Sequence, residues 1–328
     1  MKKITQITIL TGILIACVCF SGCMNKQTEE ISIVCAGSLI QPFTELKERY
    51  EAEHPETKVL IEGHGSIQAI RQVTDLNRRF DLICVADESL IPAMMEIEEY
   101  NLLGTSEMVL MYTQDSAYAD EISQENWATI LTREGVRFGF SNPVLDAAGY
   151  RSLMVLALYD QEHGTDLLEH VITSHIDGIL VEKTQQMTVI TLPEILKTKT
   201  RTSPNSNQVL IRDGSVFLLT LLKTGGVDYA FEYRCVAEGS GMPYIPLPPE
   251  INLGDPAYAS VYDNVVVNLN FKRFSSIGLE RTGLPIVYAA VISENALNPS
   301  GAEQFLVFLQ ENRDVIGMPN EVREDMMV

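Results

Sequence analysis

The chain has 328 residues, 46% of them hydrophobic, and is therefore long enough and apolar enough for two globular domains of about 150 residues. Its formal net charge is −20 at pH 7. This charge excludes nucleic acids and anionic membrane surfaces as favourable partners, but not a small anion, because backbone N–H groups act at contact whereas distant charges are screened beyond about 10 Å.

The N-terminus predicts secretion and attachment to a membrane. Lys2 and Lys3 precede an apolar run over residues 7–20, which is shorter than the ~20 residues of a spanning helix and is typical of a secretory signal. Ser21-Gly22-Cys23 then resembles a lipoprotein cleavage site. We expect residues 1–22 to be a signal peptide, Cys23 to be lipidated, and residues 23–30 to link the body to the outer face of the membrane. An uncleaved signal anchor is the alternative, and it would leave the body on the same side.

The first half of the chain alternates between strand-like and helical segments. Strands are predicted at residues 31–35, 59–62, 80–85 and 107–112. Residues 41–54 are predicted to form a helix, because Phe43, Leu46 and Tyr50 recur on one face, and residues 67–76 form the next predicted helix. This alternation indicates an α/β fold with largely parallel sheets.

The second half continues the alternation. The pattern predicts helices at residues 127–131, 150–159 and 215–223, and strands at residues 136–140 and 227–233. On the second of these strands, Glu232 shares a polar face with Asp228 and Arg234, near the strand's C-terminal end. Residues 198–207 are predicted to be a mobile loop and residues 243–249 an extended segment. A last strand and helix are expected at residues 284–293 and 301–312.

Three loops rich in serine and glycine each stand between a predicted strand and a predicted helix. They are Ala36-Gly37-Ser38-Leu39, Gly63-His64-Gly65-Ser66 and residues 141–152, which include Asp146. The free backbone N–H groups at a helix N-terminus can bind an anion. Taken singly, the two serines are typical of turns and caps, Asp146 of a helix cap, and Glu232 of a solvated strand. Their combination indicates a ligand site.

These segments together resemble the extracytoplasmic tungstate/molybdate-binding proteins of ABC importers, chiefly the archaeal-type group. The resemblance runs from about residue 31 to the C-terminal helix and also includes Phe231-Glu232-Tyr233 and Pro249-Glu250-Ile251-Asn252-Leu253-Gly254. It implies a two-lobe periplasmic-binding-protein-like fold of type II, with the ligand cleft between the lobes. Residues 31–112 would form the first part of lobe I and residues 113–275 lobe II. Residues 276–328 would be a return segment and C-terminal helix completing lobe I.

The resemblance also implies a set of ligand contacts. Asp146 and Glu232 would approach the tungsten or molybdenum atom of the oxyanion directly. Serine side chains and backbone N–H groups would hold its oxygens, at Gly37, Ser38, Ser66, Ala147 and Ala148. A carboxylate about 6 Å from a dianion repels it by ~5 kcal/mol at an effective dielectric constant of ~20. Tungsten(VI) and molybdenum(VI) can accept additional oxygen ligands, unlike sulfur or phosphorus. The pair would therefore attract tungstate and repel sulfate or phosphate.

The expected protein is a lipid-anchored, monomeric solute-binding component without catalytic activity or cofactor. It would deliver tungstate or molybdate to a membrane permease driven by a separate ATPase subunit. A binder of another oxyanion, phosphate or sulfate, is the nearer alternative. A secreted serine hydrolase using Ser38 or Ser66 is the distant one; His64 lies near Ser66, but the chain has no Gly-x-Ser-x-Gly elbow.

Two further features stay open at the level of sequence. Arg151 follows the third loop and could contact the anion or pair with surface carboxylates. Cys35, Cys84 and Cys235 lie in or beside apolar strand-like runs, and we expect them to be buried thiols that act as small hydrophobic side chains.

Overall fold

The computed structural model describes residues 28–199, 208–270 and 280–317. The strands are β1 (Glu29–Ala36), β2 (Thr57–His64), β3 (Leu82–Val85), β4 (Asn101–Ser106), β5 (Met108–Tyr112), β6 (Arg137–Ser141), β7 (Ile176–Asp177), β8 (Leu180–Lys183), β9 (Thr188–Thr191), β10 (Lys197–Thr198), β11 (Gln208–Arg212), β12 (Tyr229–Tyr233), β13 (Tyr244–Pro246), β14 (Val265–Asn268), β15 (Glu280–Thr282) and β16 (Ile286–Ile292). The helices are α1 (Ile40–Glu53), α2 (Ser66–Thr74), α3 (Leu90–Met95), α4 (Trp127–Leu131), α5 (Ala147–His163), α6 (Leu167–Val171), α7 (Val216–Lys223), α8 (Arg234–Ser240), α9 (Ala259–Tyr262), α10 (Pro299–Glu311) and α11 (Arg313–Ile316). The predicted signal peptide, Cys23 and residues 200–207 of the predicted loop lie outside the described residues.

Two five-stranded sheets carry the two lobes. The first has the order β2-β1-β3-β16-β4, with β1 parallel to its neighbours and β16 antiparallel to both of its own. The second has the order β11-β6-β12-β5-β13, with β6 parallel to its neighbours and β5 antiparallel to both of its own. The α/β two-lobe fold is thus confirmed. Each sheet is mixed rather than purely parallel, because one reversed strand enters it beside the crossover between the lobes.

The chain crosses between the lobes at Glu107, which separates β4 of the first sheet from β5 of the second. The sequence predicts that the first part of lobe I ends at residue 112. In the structure β5 (Met108–Tyr112) already belongs to the second sheet, because it pairs with β12 and β13. The segment at residues 249–254 is hydrogen-bonded to the first residue of β5 and to the first residue of β16. Met108 N donates to Asn252 O at 2.7 Å, and Ile286 N donates to Leu253 O at 2.8 Å.

The core of the first lobe follows from the hydrophobic spacing of its elements. Helix α1 buries Phe43, Leu46 and Tyr50, as predicted, and the Tyr50 ring meets Phe305 of α10 edge-on at 5.2 Å. All four residues of β3 are buried, and α2 packs against this strand. Cys35 and Cys84 are free and buried as expected, whereas Cys235 is only half-buried.

The second lobe departs from the sequence pattern in two places. Helix α5 begins at Ala147 rather than at residue 149 or 150, so that Asp146 becomes its N-cap residue. A four-stranded sheet with the order β15-β14-β9-β8 was not predicted, because its strands are short and β8 is largely exposed and polar. Among the described residues, no helix combines the length and apolar character that crossing a membrane requires.

Candidate functional site

Asp146 lies at the N-terminus of α5, as the N-cap residue of that helix. Its backbone is extended, with φ −137° and ψ 136°, and its side chain makes no capping hydrogen bond. Instead, Oδ2 accepts a hydrogen bond from Ser215 N at 2.8 Å, and the residue is only 4% exposed. Burial raises the pKa of Asp146 above its ordinary value, although hydrogen-bond donors, Ser215 N foremost, oppose this rise. The carboxyl group is therefore held in place by another segment of the chain and is not a simple helix cap.

Glu232 lies at the C-terminal end of β12 and is 1% exposed. Taken alone, Glu232 is typical of a solvated strand residue, but all five residues of this strand are buried. Oε1 accepts from Tyr233 N at 2.9 Å, whereas Oε2 has no hydrogen-bond partner among the described residues. Burial raises the pKa of Glu232 to about 8, and the negative charge of Asp146 adds to the rise. The two carboxyl groups are thus electrostatic neighbours.

Ser215 connects the two carboxyl groups. Its N–H donates to Asp146, and its hydroxyl lies close enough to Glu232 to oppose the rise in that residue's pKa. Ser215 caps α7 and follows Gly214, so it repeats the Ser/Gly-before-helix pattern of the three predicted loops. That repetition is the sequence signal that could have identified it.

Ser38 and Ser66 are the first-lobe members of the predicted site. Ser38 lies in the single helical turn Gly37–Leu39 after β1, and its Oγ accepts from Tyr288 Oη at 2.9 Å. Ser66 is the first residue of α2, and its Oγ accepts from Ala86 N at 3.1 Å. A backbone N–H can only donate, so the Ser66 hydroxyl keeps its own proton for a further acceptor.

The loops of the two lobes meet at short range. A Cβ atom on Gly65 would lie 2.4 Å from Leu145 O and 2.7 Å from Asp146 Cβ, so only glycine allows this approach. Gln68 N donates to Leu145 O at 3.0 Å across the same contact. On the neighbouring loop, a Cβ on Gly37 would lie 3.1 Å from Val216 Cγ1. The predicted loops at residues 36–39, 63–66 and 141–152 are therefore brought together in a closed cleft.

Backbone N–H donors and two buried side-chain oxygens lie near this contact between the loops. Ala147 and Ala148 are buried first residues of α5, where backbone N–H groups have no partner within the helix. Ser141 Oγ, at the end of β6, is buried without a hydrogen-bond partner among the described residues, as is Glu232 Oε2. Buried polar atoms without partners are uncommon, because each carries an uncompensated desolvation cost. This arrangement can satisfy both atoms by enclosing a small polar ligand.

Arg151 is buried and contacts residues of both lobes. Its Nη1 donates to Ala86 O at 2.5 Å and to Tyr233 Oη at 2.9 Å, and Nη2 lies 3.5 Å from Asp87 Oδ2. Although burial opposes ionisation of Asp87, the charges of Arg151 and Arg281 lower its pKa. The partner of Arg151 is therefore a buried carboxylate rather than the surface carboxylates considered from sequence.

Two cavities help to define what surrounds the site. One of about 360 Å³ opens between the lobes and is lined by Gly37, Ser38, Val216 and Cys235, among others. A larger one of about 560 Å³ is lined by residues that include Gln161, Gln186 and Glu250, and by no residue of the predicted site. Of these two cavities, the inter-lobe one is lined by two predicted ligand contacts, Gly37 and Ser38, whereas neither Asp146 nor Glu232 lines it.

The geometry does not support the hydrolase alternative. His64 Nε2 bonds to Glu62 Oε1 at 2.7 Å, whereas Ser66 Oγ bonds to Ala86 N. No serine–histidine pair therefore forms at Ser66.

Comparison with known proteins gives a consistent set of relatives. A family model described as bacterial extracellular solute-binding protein matches residues 31–316. The molybdate/tungstate-binding protein WtpA of Pyrococcus abyssi is 37% identical over 300 residues, which cover 87% of this chain and 81% of that protein. The protein of the same name from Thermococcus kodakarensis is 35% identical over 324 residues, covering 92% and 86%. An uncharacterized solute-binding protein of Staphylothermus marinus is 38% identical over 297 residues, covering 88% and 81%.

Solved structures share the two-lobe fold. The periplasmic molybdate-binding protein of Azotobacter vinelandii matches with a TM-score of 0.58 and 13% identity, covering 89% of this chain and 99% of that chain. The sulfate-binding protein SubI of Mycobacterium tuberculosis matches with a TM-score of 0.55 and 11% identity, covering 91% and 88%. At such identities the similarity concerns the fold alone.

Proposed function

The chain belongs to the bacterial extracellular solute-binding protein family, and we propose that it captures tungstate or molybdate outside the membrane and delivers it to an ABC-type permease. The observation that carries this proposal is the pair of buried carboxyl groups, Asp146 and Glu232. One oxygen of Glu232 has no hydrogen-bond partner in the described part of the chain. In this proposal the protein acts as a monomer, without cofactor and without catalysis. The WtpA relatives, named as molybdate/tungstate-binding proteins, support the choice of ligand.

The charges of the site support an oxyanion whose central atom accepts extra ligands. Two ionised carboxylates would repel an ordinary dianion by several kcal/mol each at contact distances. Tungsten or molybdenum would turn them from repulsive neighbours into ligands, because carboxylate oxygens could complete the coordination of the metal. Ser38 and Ser66 would donate to the oxyanion oxygens, together with the N–H groups of Ala147 and Ala148. Gly37 would contribute through its backbone at the same loop.

Phosphate or sulfate is the second candidate ligand, because one observation favours it. The pKa of Glu232, raised to about 8 by burial, keeps this carboxyl group largely protonated at neutral pH. A protonated carboxyl group can donate a hydrogen bond to an oxyanion without repelling it. The two candidates therefore differ in the charge state of Glu232 in the complex.

Ligand binding should raise the melting temperature of the protein, and the ranking of anions tests the proposal. At a free tungstate or molybdate concentration of about 100 times the dissociation constant, the gain should be ~2.7 kcal/mol, because the ligand binds only the folded state. Differential scanning calorimetry should show a shift of several degrees for these two anions and little shift for sulfate or phosphate at equal concentration. If phosphate or sulfate gives the largest shift, the second candidate replaces the first.

We further propose that Cys23 carries the lipid that holds the protein on the outer face of the cell membrane. The full-length protein should then partition with membranes, and Cys23→Ser should release it or leave it attached through the uncleaved signal. Acyl chains contribute ~0.8 kcal/mol per buried CH₂, and stable anchoring needs more than one chain. Mass spectrometry of the mature N-terminus is the measurement. An unmodified N-terminus at another residue would contradict lipidation at Cys23.

A further inference from the structure

Four side chains form a hydrogen-bonded chain that ends at Ser38. Ser106 Oγ donates to Cys235 Sγ at 3.6 Å, Cys235 Sγ lies 3.7 Å from Tyr288 Oη, and Tyr288 Oη donates to Ser38 Oγ at 2.9 Å. Ser106, Tyr288 and Ser38 are buried, and Cys235 is half-buried. None of these contacts is between neighbours in sequence.

Each of these four side chains has a single hydroxyl or thiol proton, and this fixes the direction of every hydrogen bond between them. Since Tyr288 gives its proton to Ser38, it can only accept from Cys235. Cys235 in turn gives its proton to Tyr288 and accepts from Ser106. The Ser38 hydroxyl, already an acceptor, keeps its own proton to donate elsewhere. The oxygens of a fully deprotonated oxyanion are acceptors, so they match this direction.

We infer that Tyr288 is a positioning residue, which orients the Ser38 hydroxyl as a hydrogen-bond donor toward the bound oxyanion, and that Cys235 completes the chain when the lobes close. This inference rests on the proposed function, because it takes Ser38 as a ligand contact. It assigns a role to Tyr288, on strand β16 of the predicted return segment. It also assigns a role to Cys235, which is not itself a proposed ligand contact.

The four hydrogen-bonded side chains come from both lobes. Ser38, Ser106 and Tyr288 belong to elements of the first lobe, whereas Cys235 comes from α8 of the second. The Tyr288 ring also meets Tyr233 edge-on at 5.6 Å, and Tyr233 is the neighbour of Glu232. Burial raises the pKa of Tyr288 well above its ordinary value, so its hydroxyl keeps its proton at physiological pH. The thiol of Cys235 therefore joins the second lobe to two hydroxyls of the first.

Tyr288→Phe, which removes the hydroxyl and keeps the ring, is the main test. Calorimetric titration of the full chain with tungstate should show affinity about tenfold weaker, because Ser38 loses the bond that orients it toward a charged ligand. Tyr229→Phe is the matched control. Tyr229 is equally buried and donates to Ala117 O, outside the ligand site, so its variant should bind within twofold of the wild type.

A double-mutant cycle separates positioning from a general structural role. If Tyr288 acts through Ser38, Tyr288→Phe should weaken binding in the wild-type background but have no further effect in a Ser38→Ala background. A purely structural role would give equal losses in both backgrounds. Cys235→Ala interrupts the chain one step earlier and should weaken tungstate binding two- to threefold, which keeps the test available if Tyr288→Phe does not fold.

The outcomes distinguish this inference from the proposed function. Tight tungstate binding by the wild type with an undiminished affinity in Tyr288→Phe overturns the inference alone. Equal losses in the two backgrounds overturn it as well. A wild-type protein that binds neither tungstate nor molybdate overturns the proposed function, and the inference falls with it.

Discussion

Replacing Asp146 with Asn, or Glu232 with Gln, should weaken tungstate binding at least tenfold, which corresponds to about 1.4 kcal/mol or more. Each substitution keeps the size of the side chain and most of its hydrogen-bonding capacity but removes its capacity to carry a negative charge. If the carboxylates coordinate the metal, a neutral amide is a poorer ligand and affinity falls. Sulfate affinity should stay weak or rise, because a repulsive charge has gone. Calorimetric titration of both variants with both anions gives the comparison.

Stability of the ligand-free variants is the check against unfolding. Burial raises the pKa of both carboxyl groups, so folding disfavours their ionised forms, and neutral replacements should leave the melting temperature unchanged or higher. Glu121→Gln is a suitable control, because Glu121 pairs with Arg133 at the surface and its side chain is 56% exposed. This variant should bind tungstate like the wild type. Undiminished tungstate affinity in both Asp146→Asn and Glu232→Gln would end the two-carboxylate hypothesis.

Three of the predicted site residues lie together in the structure because they occupy the same kind of position in the chain. Ser38, Ser66 and Asp146 each stand where a strand gives way to a helix, and such ends converge at the edge of an α/β sheet. Sequence periodicity fixes these positions along the chain. The close approach of the loops depends on glycines, above all Gly65, whose absent side chain leaves room for Asp146. The loop pattern therefore predicts that the serines and Asp146 lie at the same edge of the molecule.

The surroundings of Glu232 could not be predicted in the same way. Alternation along β12 separates Glu232 from Phe231, which suggests a solvated face, but helices cover both faces of the second sheet. Periodicity reports only which residues share a face. Whether that face meets water depends on helices distant in sequence, such as α5 and α7. The carboxyl group is consequently buried where a polar strand face was expected.

Contacts between distant segments account for the remaining omissions. Tyr288 is 250 residues from Ser38 in sequence, and Ser215 is 69 residues from Asp146. A tyrosine in an apolar strand is ordinary core material until its hydroxyl partner is known. Similarly, the predicted end of the first part of lobe I at residue 112 includes β5 in the first lobe, whereas β5 lies in the second sheet. The pairing partners of a strand cannot be read from its own sequence.

Arg151→Met should destabilise the ligand-free protein by about 3 kcal/mol, the largest stability loss that we expect from a single change near the site. The substitution keeps an unbranched side chain of similar length but leaves Asp87 as a buried carboxylate without its Arg151 partner. It also removes the donors that bind Ala86 O and Tyr233 Oη. Because Ala86 belongs to the first lobe and Arg151 to the second, closure should weaken too. Chemical denaturation without ligand measures the loss.

A matched exposed arginine and a compensating change sharpen this prediction. Arg234→Met removes pairs with Glu238 and Glu107 in which the arginine side chain is 43% exposed, and it should cost about 1 kcal/mol or less. Combining Arg151→Met with Asp87→Asn should recover part of the lost stability, because the unpaired charge disappears with its partner. If Arg151→Met costs no more than Arg234→Met, the buried ion pair does not hold the lobes together, and the hydrogen bonds between the loops must do so instead.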